Sequence, residues 1–356
     1  MSGRVIVGMS GGVDSAVAAL LLKKEGYEVI GVTLRTWVAD DGTEGRCCEI
    51  DDARRVAMKL GIRYFAPNCL AEFRDYVTEP FVRDYLDGLT PNPCIECNRY
   101  VKWERMLYNA KVLKADYVAT GHYASVVRRE NGRYTVKKAA HAAKDQTYML
   151  YKLTQEQLAS TLMPLGNLSK DEVRRIAEEA GLTVADKPDS QEICFVPEGT
   201  YADYIRANAE SEVLGEGCFV DEDGQVLGRH KGIIHYTVGQ RKGLGLALGR
   251  PVFVKEIRAD RNEVVIADEE ALFRTVITCR DVNYMSVAEM KPGERLRGTV
   301  KVRYHHAGQA AQIDALGEGR VRITFDETVR APAPGQSAVF YDEEDCVIGG
   351  GVIEKA

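Results

Sequence analysis

A loop rich in glycine and serine lies between a strand-like run and a helix-like run near the start of the chain. It consists of Gly8, Met9, Ser10, Gly11, Gly12, Val13, Asp14 and Ser15. Glycines let a backbone turn sharply and approach an anion, serines add hydroxyl donors, and the following helix points its positive end at the same place. The loop lacks the lysine of G-x-x-x-x-G-K-[ST] and the spacing of G-x-G-x-x-G. We therefore predict a phosphate-binding loop of a different type.

Cysteines in two distant segments could supply nucleophilic sulfur. Cys94 and Cys97 lie in a proline-stiffened stretch just ahead of a predicted helix over 98–113, and a thiol near the positive end of a helix ionises more readily. Cys194 lies in the polar segment 189–195. A lone cysteine is more often a small buried apolar residue, and we interpret four others in that way: Cys69, Cys218, Cys279 and Cys346. The role of Cys47 and Cys48 stays open.

Composition indicates a globular protein of two or three domains. The 356 residues are 45% hydrophobic and 28% charged, and nine cysteines do not resemble a secreted disulfide framework. No apolar run of about 18 residues or signal-peptide pattern occurs, so we expect a cytoplasmic protein without a membrane segment. The net charge of −6 argues against a protein that coats nucleic acid indiscriminately.

The elements that must position these residues change character along the chain. Buried-strand patterns at 5–7, 29–34, 64–66 and 117–120 alternate with helical patterns, which predicts a parallel sheet covered on both faces. A capping box at Ser169 and Glu172 opens a helix that Gly181 closes. Glycine-punctuated strand patterns follow from about residue 205, and the last eighty residues predict a small antiparallel barrel or sandwich. We place the domains at 1–203, 204–273 and 274–356.

The loop resembles that of the PP-loop ATP pyrophosphatases, and further segments resemble the bacterial tRNA-specific 2-thiouridylases (MnmA type). The matching segments occur in the same order over almost the whole chain, namely the phosphate loop, both cysteine segments, and residues 119–124, 144–148, 235–245, 303–304 and 334–337. The resemblance implies an α/β PP-loop domain, a small β-rich central domain and a C-terminal antiparallel β-barrel. It also implies that uridine, at the wobble position of tRNA, becomes 2-thiouridine with cleavage of ATP to AMP and pyrophosphate.

Site residues are carried over from the family only where the sequence matches. In addition to Gly8 to Ser15, Leu34 and Gly121 would line the ATP site, with Asp14 helping to place Mg²⁺. The target base would meet Asn92, Pro93 and Cys94. Contacts to tRNA would come from His122, Lys144, Asp145, Gln146, Arg303, Tyr304 and Gln336. Cys194 would carry a persulfide and Cys97 would attack it, leaving a transient Cys97–Cys194 disulfide.

Several alternatives stay open. Some family members have Asp at the position of Cys94, and Cys94, Cys97 and Cys194 could instead ligate a 4Fe–4S cluster. The PP-loop also occurs in ligases that adenylate small molecules, and an RNA-binding module without chemistry is a further rival. His122 could be a structural histidine. We expect a monomer that receives sulfur from a cysteine desulfurase or a sulfur-relay protein.

Overall fold

The computed structural model describes residues 3–37, 49–187, 193–196 and 199–355. Cys47, Cys48 and residues 189–192, which the sequence analysis singled out, lie outside the described residues. Within the described part of the chain, no helix is both long and apolar enough to cross a bilayer.

A parallel five-stranded sheet forms the centre of the N-terminal part, as predicted. Its strand order is β3-β2-β1-β4-β7, with β1 Arg4–Gly8, β2 Glu28–Val32, β3 Arg63–Phe65, β4 Tyr117–Ala119 and β7 Thr161–Leu162. The interior of β1 is fully buried, which explains why that strand is a continuous apolar run rather than an alternating one. The short strand β7 was not among the predicted strands.

Helices cover the sheet and extend beyond it. They are α1 Val13–Lys24, α2 Ile50–Leu60, α3 Leu70–Phe73, α4 Glu79–Leu86, α5 Pro93–Glu96, α6 Glu104–Val112, α7 Gln155–Ala159, α8 Lys170–Glu179 and α9 Tyr201–Asn208. The predicted capping box is present: Glu172 N donates to Ser169 Oγ (3.2 Å) and Ser169 N donates to a Glu172 carboxylate oxygen (2.8 Å). This box fixes where α8 starts. The proposed domain boundary at 204 falls inside α9.

Two of the helical stretches contain π-helical turns. Residues Arg74–Thr78 join α3 to α4, and residues Cys97–Trp103 join α5 to α6, so that each stretch is a continuous helix with a wider middle. Helix α5 begins at Pro93, five residues before the predicted start at 98, because Pro suits the first helical position and Asn92 caps it. π-Helical turns are uncommon and occur often at functional sites.

The rest of the chain is mainly β-structure. A hairpin of β5 Ala124–Arg128 and β6 Tyr134–Lys138, which was not predicted, follows the parallel sheet. The central domain is a four-stranded sheet in the order β10-β11-β8-β9, with β8 Gly217–Val220, β9 Val226–His230, β10 Phe253–Arg258 and β11 Glu263–Ala267.

The C-terminal part is a closed barrel, which confirms the predicted antiparallel β-barrel. Its strands are β12 Phe273–Tyr284, β13 Arg295–Lys301, β14 Gln309–Gly317, β15 Arg320–Arg330, β16 Ser337–Tyr341 and β17 Val347–Ile353, in the order β12-β15-β14-β13-β16-β17. All six neighbour pairings are antiparallel. Strand β12 was missed by the sequence pattern because its residues alternate irregularly between buried and exposed.

Candidate active site

The phosphate loop crosses the carboxyl edge of the sheet between β1 and α1. Met9 N donates to Val32 O (2.8 Å), and Thr33 Oγ1 donates to Met9 O (2.5 Å), so the loop is fixed to the end of β2. Ser15 Oγ accepts a hydrogen bond from Ser10 N (3.2 Å) and donates to Gly12 O (3.1 Å). The loop is therefore shaped before any ligand arrives.

Glycine is required on both sides of this loop. Gly11 has φ of +82°, and a Cβ there would lie 2.7 Å from Glu49 O. Gly121, after β4, approaches α1 so closely that a Cβ would lie 2.7 Å from both Asp14 C and Ser15 N. Main-chain atoms cannot give way as a flexible side chain can, so the first turn of α1 is packed directly on the end of β4.

The Asp14 carboxylate is held by two side chains that sequence analysis did not identify. Lys170 Nζ donates to both carboxylate oxygens of Asp14 (2.8 and 2.9 Å), and Tyr123 Oη donates to one of them (2.7 Å). Lys170 is the first residue of α8, directly after the Ser169 cap. The capping-box motif located this helix, but nothing local indicates that its first side chain meets Asp14.

A second distant lysine lies beside the loop. Lys187 Nζ is 3.5 Å from Gly11 O, donates to Asp52 Oδ2 (2.5 Å) and is also paired with Glu49. Burial lowers the pKa of Lys187, but its hydrogen bonds to Asp52 and Glu49 outweigh that effect and raise the pKa overall. Lys187 thus stays cationic beside a loop that contains no lysine of its own.

The predicted target-base residues form the start of the α5 stretch. Asn92 Oδ1 accepts from Cys94 N (3.2 Å), as an N-cap side chain does, and Pro93 occupies the first helical position. The Asn92 amide donates to Met149 Sδ (3.4 Å). Cys94 is exposed, and Cys97 is 8% exposed at the first π-helical residue.

Cys97, Cys194 and Leu34 meet at one hydrophobic cluster. Cys97 belongs to this cluster, and Cys194 and Leu34 pack against it as partly buried residues. Its aromatic centre holds Phe195, whose ring lies 5.6 Å from Phe73. The segment that carries Cys194 is therefore anchored next to the helix that carries Cys97, although almost a hundred residues separate them.

Tyr204 of α9 closes this cluster on the Cys194 side. Its ring centroid lies 5.0 Å from that of Phe195. Burial raises the pKa of the Tyr204 hydroxyl, and the neighbouring Cys194 contributes to this shift, while a hydrogen bond with Thr78 lowers it. Cys194 and Tyr204 thus pack against the same cluster.

His122 is positioned by neighbours on both sides of its ring. Its Nδ1 is 2.8 Å from Thr120 Oγ1, and its ring lies 5.6 Å from that of Trp103. Burial, with a smaller contribution from Lys102, lowers the pKa of His122 to about 3. The imidazole is therefore neutral near pH 7 and offers hydrogen bonds rather than charge.

The remaining residues predicted to contact tRNA make contacts inside the protein. Asp145 is buried, and its carboxylate accepts from Thr147 Oγ1 (2.8 Å). Tyr123 N donates to Gln146 Oε1 (2.9 Å). Lys144, two residues earlier in the chain, ends a short 3₁₀ helix. In the free protein this motif therefore also holds the structure together.

The barrel residues from the same prediction connect the barrel internally and to the N-terminal domain. Tyr304 Oη donates to Asp145 O (3.0 Å), and Gln336 Nε2 donates to Thr90 O (2.8 Å). Arg303 donates to Arg330 O (2.9 Å) within the barrel. Tyr304 and Gln336 thus lie where the barrel meets the N-terminal domain, on the side of the target-base residues.

Known proteins resemble this chain over its full length. Three family models match it: a tRNA methyl transferase HUP domain at residues 3–198, a tRNA methyl transferase PRC-barrel domain at 203–268 and an aminomethyltransferase beta-barrel domain at 274–353. A tRNA-specific 2-thiouridylase MnmA of Lachnoclostridium phytofermentans is 52% identical, with 99% of each chain covered. This chain belongs to the tRNA-specific 2-thiouridylase family.

Other 2-thiouridylases are similarly close. The MnmA of Clostridioides difficile is 49% identical over 100% of this chain and 99% of its own. Among solved structures, the U34-tRNA thiolase NcsA from Methanococcus maripaludis with its 4Fe–4S cluster covers 54% of this chain and 61% of its own. Its identity of 20% and TM-score of 0.36 are too low to bear on the reaction of this 2-thiouridylase family member.

Replacement of Gly121 by Ala should weaken ATP binding without unfolding the protein. The added Cβ would meet Asp14 C and Ser15 N at 2.7 Å and displace the first turn of α1. Overpacking of this kind costs about 1–3 kcal/mol, so if this cost falls on the ATP-binding conformation we expect about a fivefold to hundredfold rise in the Kd for ATP by calorimetry. Gly215→Ala, where nothing lies within 4 Å of the new Cβ, is the matched control. Equal affinities for both variants would contradict this packing.

His122 should make the protein less stable in mild acid. Its pKa falls from 6.5 in the unfolded chain to about 3 in the folded state, so below pH 6.5 protons bind the unfolded chain preferentially. His122→Asn should therefore reduce the loss of unfolding free energy between pH 7 and pH 5 by about 2 kcal/mol. Urea unfolding at both pH values measures this difference, and His141→Asn, at a half-exposed histidine, is the control. An unchanged pH dependence in His122→Asn would refute the assignment.

Proposed function

We propose that this chain is a tRNA-uridine 2-sulfurtransferase that activates the wobble uridine with ATP and inserts sulfur from a cysteine persulfide. The observation that carries the proposal is that Leu34, Cys97 and Cys194 all belong to or pack against one hydrophobic cluster. Leu34 belongs to the proposed ATP site, and the two thiols belong to the proposed sulfur-transfer step. Full-length similarity to 2-thiouridylases supports the same reaction.

The first step activates the base. The C2 oxygen of uridine attacks the α-phosphorus of ATP, pyrophosphate leaves, and C2 becomes electrophilic as its oxygen now belongs to a good leaving group. The amides of the loop 8–15 and the N-terminus of α1, which begins at Val13, would face the departing charge. The end of β4 at Gly121 supports the loop from behind, because it packs on Asp14 and Ser15.

Mg²⁺ would be held at this site by hard oxygen donors. The Asp14 carboxylate and the Ser10 and Ser15 hydroxyls are oxygen ligands of the kind that Mg²⁺ prefers. A bound Mg²⁺ would neutralise phosphate charge. Because Lys170 donates to both oxygens of Asp14, this lysine orients the carboxylate in the ATP-free protein.

The second step needs both cysteines. The terminal sulfur of the Cys194 persulfide attacks C2, AMP leaves with the former C2 oxygen, and the base is then joined to Cys194 through a disulfide. The Cys97 thiolate attacks Cys194 Sγ, so the bond between the two sulfurs breaks and 2-thiouridine departs with its electron pair. A Cys97–Cys194 disulfide remains, and a thiol reductant must reduce it before the next turnover.

We assign ATP binding, catalysis and part of the RNA contacts to residues 1–203, and further RNA contacts to the domains 204–273 and 274–356. Asn92, Pro93 and Cys94 surround the target base in this proposal. The tRNA contacts come from His122, Lys144, Asp145, Gln146, Arg303, Tyr304 and Gln336. A ring, a guanidinium and amides suit an unpaired RNA loop, whose bases are recognised by stacking and hydrogen bonds. A cysteine desulfurase or a sulfur-relay protein is the proposed donor to Cys194.

The iron–sulfur alternative has less support than the persulfide route. Among the residues that the structure describes, no three His, Cys, Asp or Glu side chains are arranged to hold a metal ion. Cys94 is exposed, whereas Cys97 is buried in the hydrophobic cluster. The three thiols therefore do not fit an iron–sulfur cluster in this arrangement. The proposed reaction includes no step at such a cluster.

Two of the matching family models are named for tRNA methyl transfer, a reaction that differs from sulfur transfer in its use of ATP. Transfer of a methyl group needs no cleavage of ATP, whereas the loop 8–15 has the features of a phosphate site. Formation of AMP and pyrophosphate that depends on tRNA would therefore favour sulfur transfer. It would also exclude an RNA-binding module without chemistry.

The two cysteines should fail at different steps when replaced. Cys194→Ser should not acquire a protein-bound persulfide, whereas Cys97→Ser should load sulfur but not release thiolated tRNA, because it lacks the attacking thiolate. Radiolabelled sulfur supplied by a cysteine desulfurase, followed by gel separation of protein from tRNA, distinguishes the two. Cys218→Ser, outside this site, is the control. Equal loading of both variants, or full activity in either, is incompatible with the proposed roles.

Cys94→Asp separates the persulfide route from a cluster. If Cys94 only neighbours the base, the variant should retain activity in air with a chelator present, because Asp occurs naturally at this position in the family. If Cys94 ligates iron, a hard carboxylate should replace the thiolate poorly and activity should collapse. We expect retained thiolation of unmodified tRNA. Loss of turnover, together with iron-dependent turnover by the unmutated enzyme without oxygen, would favour the cluster.

A further inference from the structure

A loop of the barrel forms hydrogen bonds with the main chain just ahead of the target-base residues. Thr90 N donates to Pro334 O (2.8 Å), and Gln336 Nε2 donates to Thr90 O (2.8 Å), so both polar atoms of the Thr90 backbone are bound by this loop. Gly335 between them has φ of +90°, and a Cβ there would lie 2.8 Å from Thr90 N. Only a glycine allows this approach. Thr90 precedes Asn92 by two residues.

The same part of the barrel also reaches the target-base residues by a second route. Tyr148 Oη donates to Ser337 O (2.8 Å), and Ser337 Oγ donates to Tyr151 Oη (3.1 Å). Between these tyrosines, Met149 accepts from Asn92 through its sulfur (3.4 Å) and from Asn98 through its carbonyl (3.0 Å).

These tyrosines form a rigid connection. Tyr148 and Tyr151 are both fully buried, and a buried phenol needs its hydrogen-bond partner. Burial raises the pKa of both hydroxyls far above the usual range, so they stay protonated donors or acceptors. The barrel residues 334–337 therefore support residues 90–98 from both ends.

We propose that residues 334–337 of the barrel are positioning residues for the target-base loop, so that the barrel sets the rate of the chemical step in addition to binding RNA. This inference rests on the proposed function. Residues 90–92 have no regular structure of their own, and a loop is held in one geometry only by such external contacts. Reaction rates depend steeply on placement, since an error of about 1 Å can cost about a hundredfold.

The test compares two glycines of the barrel. Gly335→Ala and Gly293→Ala impose the same backbone strain, since φ is +90° and +87°, but nothing lies within 4 Å of a Cβ at Gly293. Only Gly335→Ala should press on Thr90. We expect its single-turnover rate of 2-thiouridine formation to fall about tenfold or more, with the Kd for tRNA changed less than about twofold. Gly293→Ala should retain both values.

Hydrogen exchange gives a readout that altered stability alone would not produce. The amide of Thr90 should exchange faster in Gly335→Ala than in Gly293→Ala, whereas amides of the sheet strand β1 should exchange equally in both variants. A normal rate of thiolation in Gly335→Ala despite faster exchange at Thr90 would overturn the proposal. So would weaker tRNA binding with an unchanged rate at saturating tRNA, which would mean that the loop serves RNA affinity only.

A second variant keeps the proposal testable if Gly335→Ala does not fold. Tyr148→Phe removes the hydrogen bond to Ser337 O and leaves the ring in place, and Tyr27→Phe, a partly buried tyrosine of the N-terminal domain, is its control. Tyr148→Phe should slow thiolation about threefold to tenfold without weakening tRNA binding. A rate equal to that of Tyr27→Phe would refute the inference. If the unmutated enzyme makes no 2-thiouridine from ATP, tRNA, cysteine and a cysteine desulfurase, the proposed function itself fails.

Discussion

Residues 145–153 have little regular structure, and yet the parallel sheet, the target-base helix and the barrel all form hydrogen bonds with them. Gln146 accepts a hydrogen bond from Tyr123, which follows the sheet strand β4. Met149 accepts hydrogen bonds from the target-base helix, and Tyr148 and Tyr151 are hydrogen-bonded to the barrel. Each of these phenols is buried, and an unsatisfied buried polar group costs about 1–3 kcal/mol. The segment can therefore be buried only when the barrel is docked against it. Folding of the two domains and assembly of the site are linked by this requirement.

Charge around the phosphate loop follows a similar logic. The loop has no lysine, and a helix N-terminus supplies only about half a positive charge. Lys170 and Lys187 come from beyond the sheet and pair with Asp14 and with Asp52. Because both cations belong to later segments of the chain, the N-terminal strand-loop-helix unit has the shape of an anion site by itself but not its charge balance. That balance depends on the whole first domain.

What could be predicted from the sequence is what is encoded locally. The strand–loop–helix unit around residues 8–15, the Ser169 capping box and the parallel sheet each have a signature within a few residues, and the structure contains all three. The hairpin β5–β6 and strand β12 were missed, because their burial is set by distant partners rather than by a clean alternation.

The contacts of the site itself were less accessible to sequence reasoning. Lys170 and Tyr123 were missed because an ion pair or hydrogen bond with Asp14 across more than a hundred residues leaves no pattern in the chain. Family resemblance selected Tyr304 and Gln336, but only the structure shows that they bind Asp145 and Thr90 in the free protein. The proposed roles of the two thiols likewise came from resemblance, and their meeting at one cluster required the fold.

The π-helical turn Cys97–Trp103 changes the angle at which side chains at its two ends point, an angle that a regular helix would fix. An α-helix advances by about 100° per residue, so a single extra residue rotates everything before it relative to everything after it. Trp103, the last residue of the turn, and Met106 pack in the core of the sheet domain together with Ile95, which precedes the turn, whereas Cys97, its first residue, packs in a different cluster. The length of the turn therefore sets the angle between the two ends, and loss of one residue here would rotate Cys97 by about 100° relative to Trp103. In the proposed mechanism, in which Cys97 must reach Cys194, the length of this turn matters as much as the identity of its first residue.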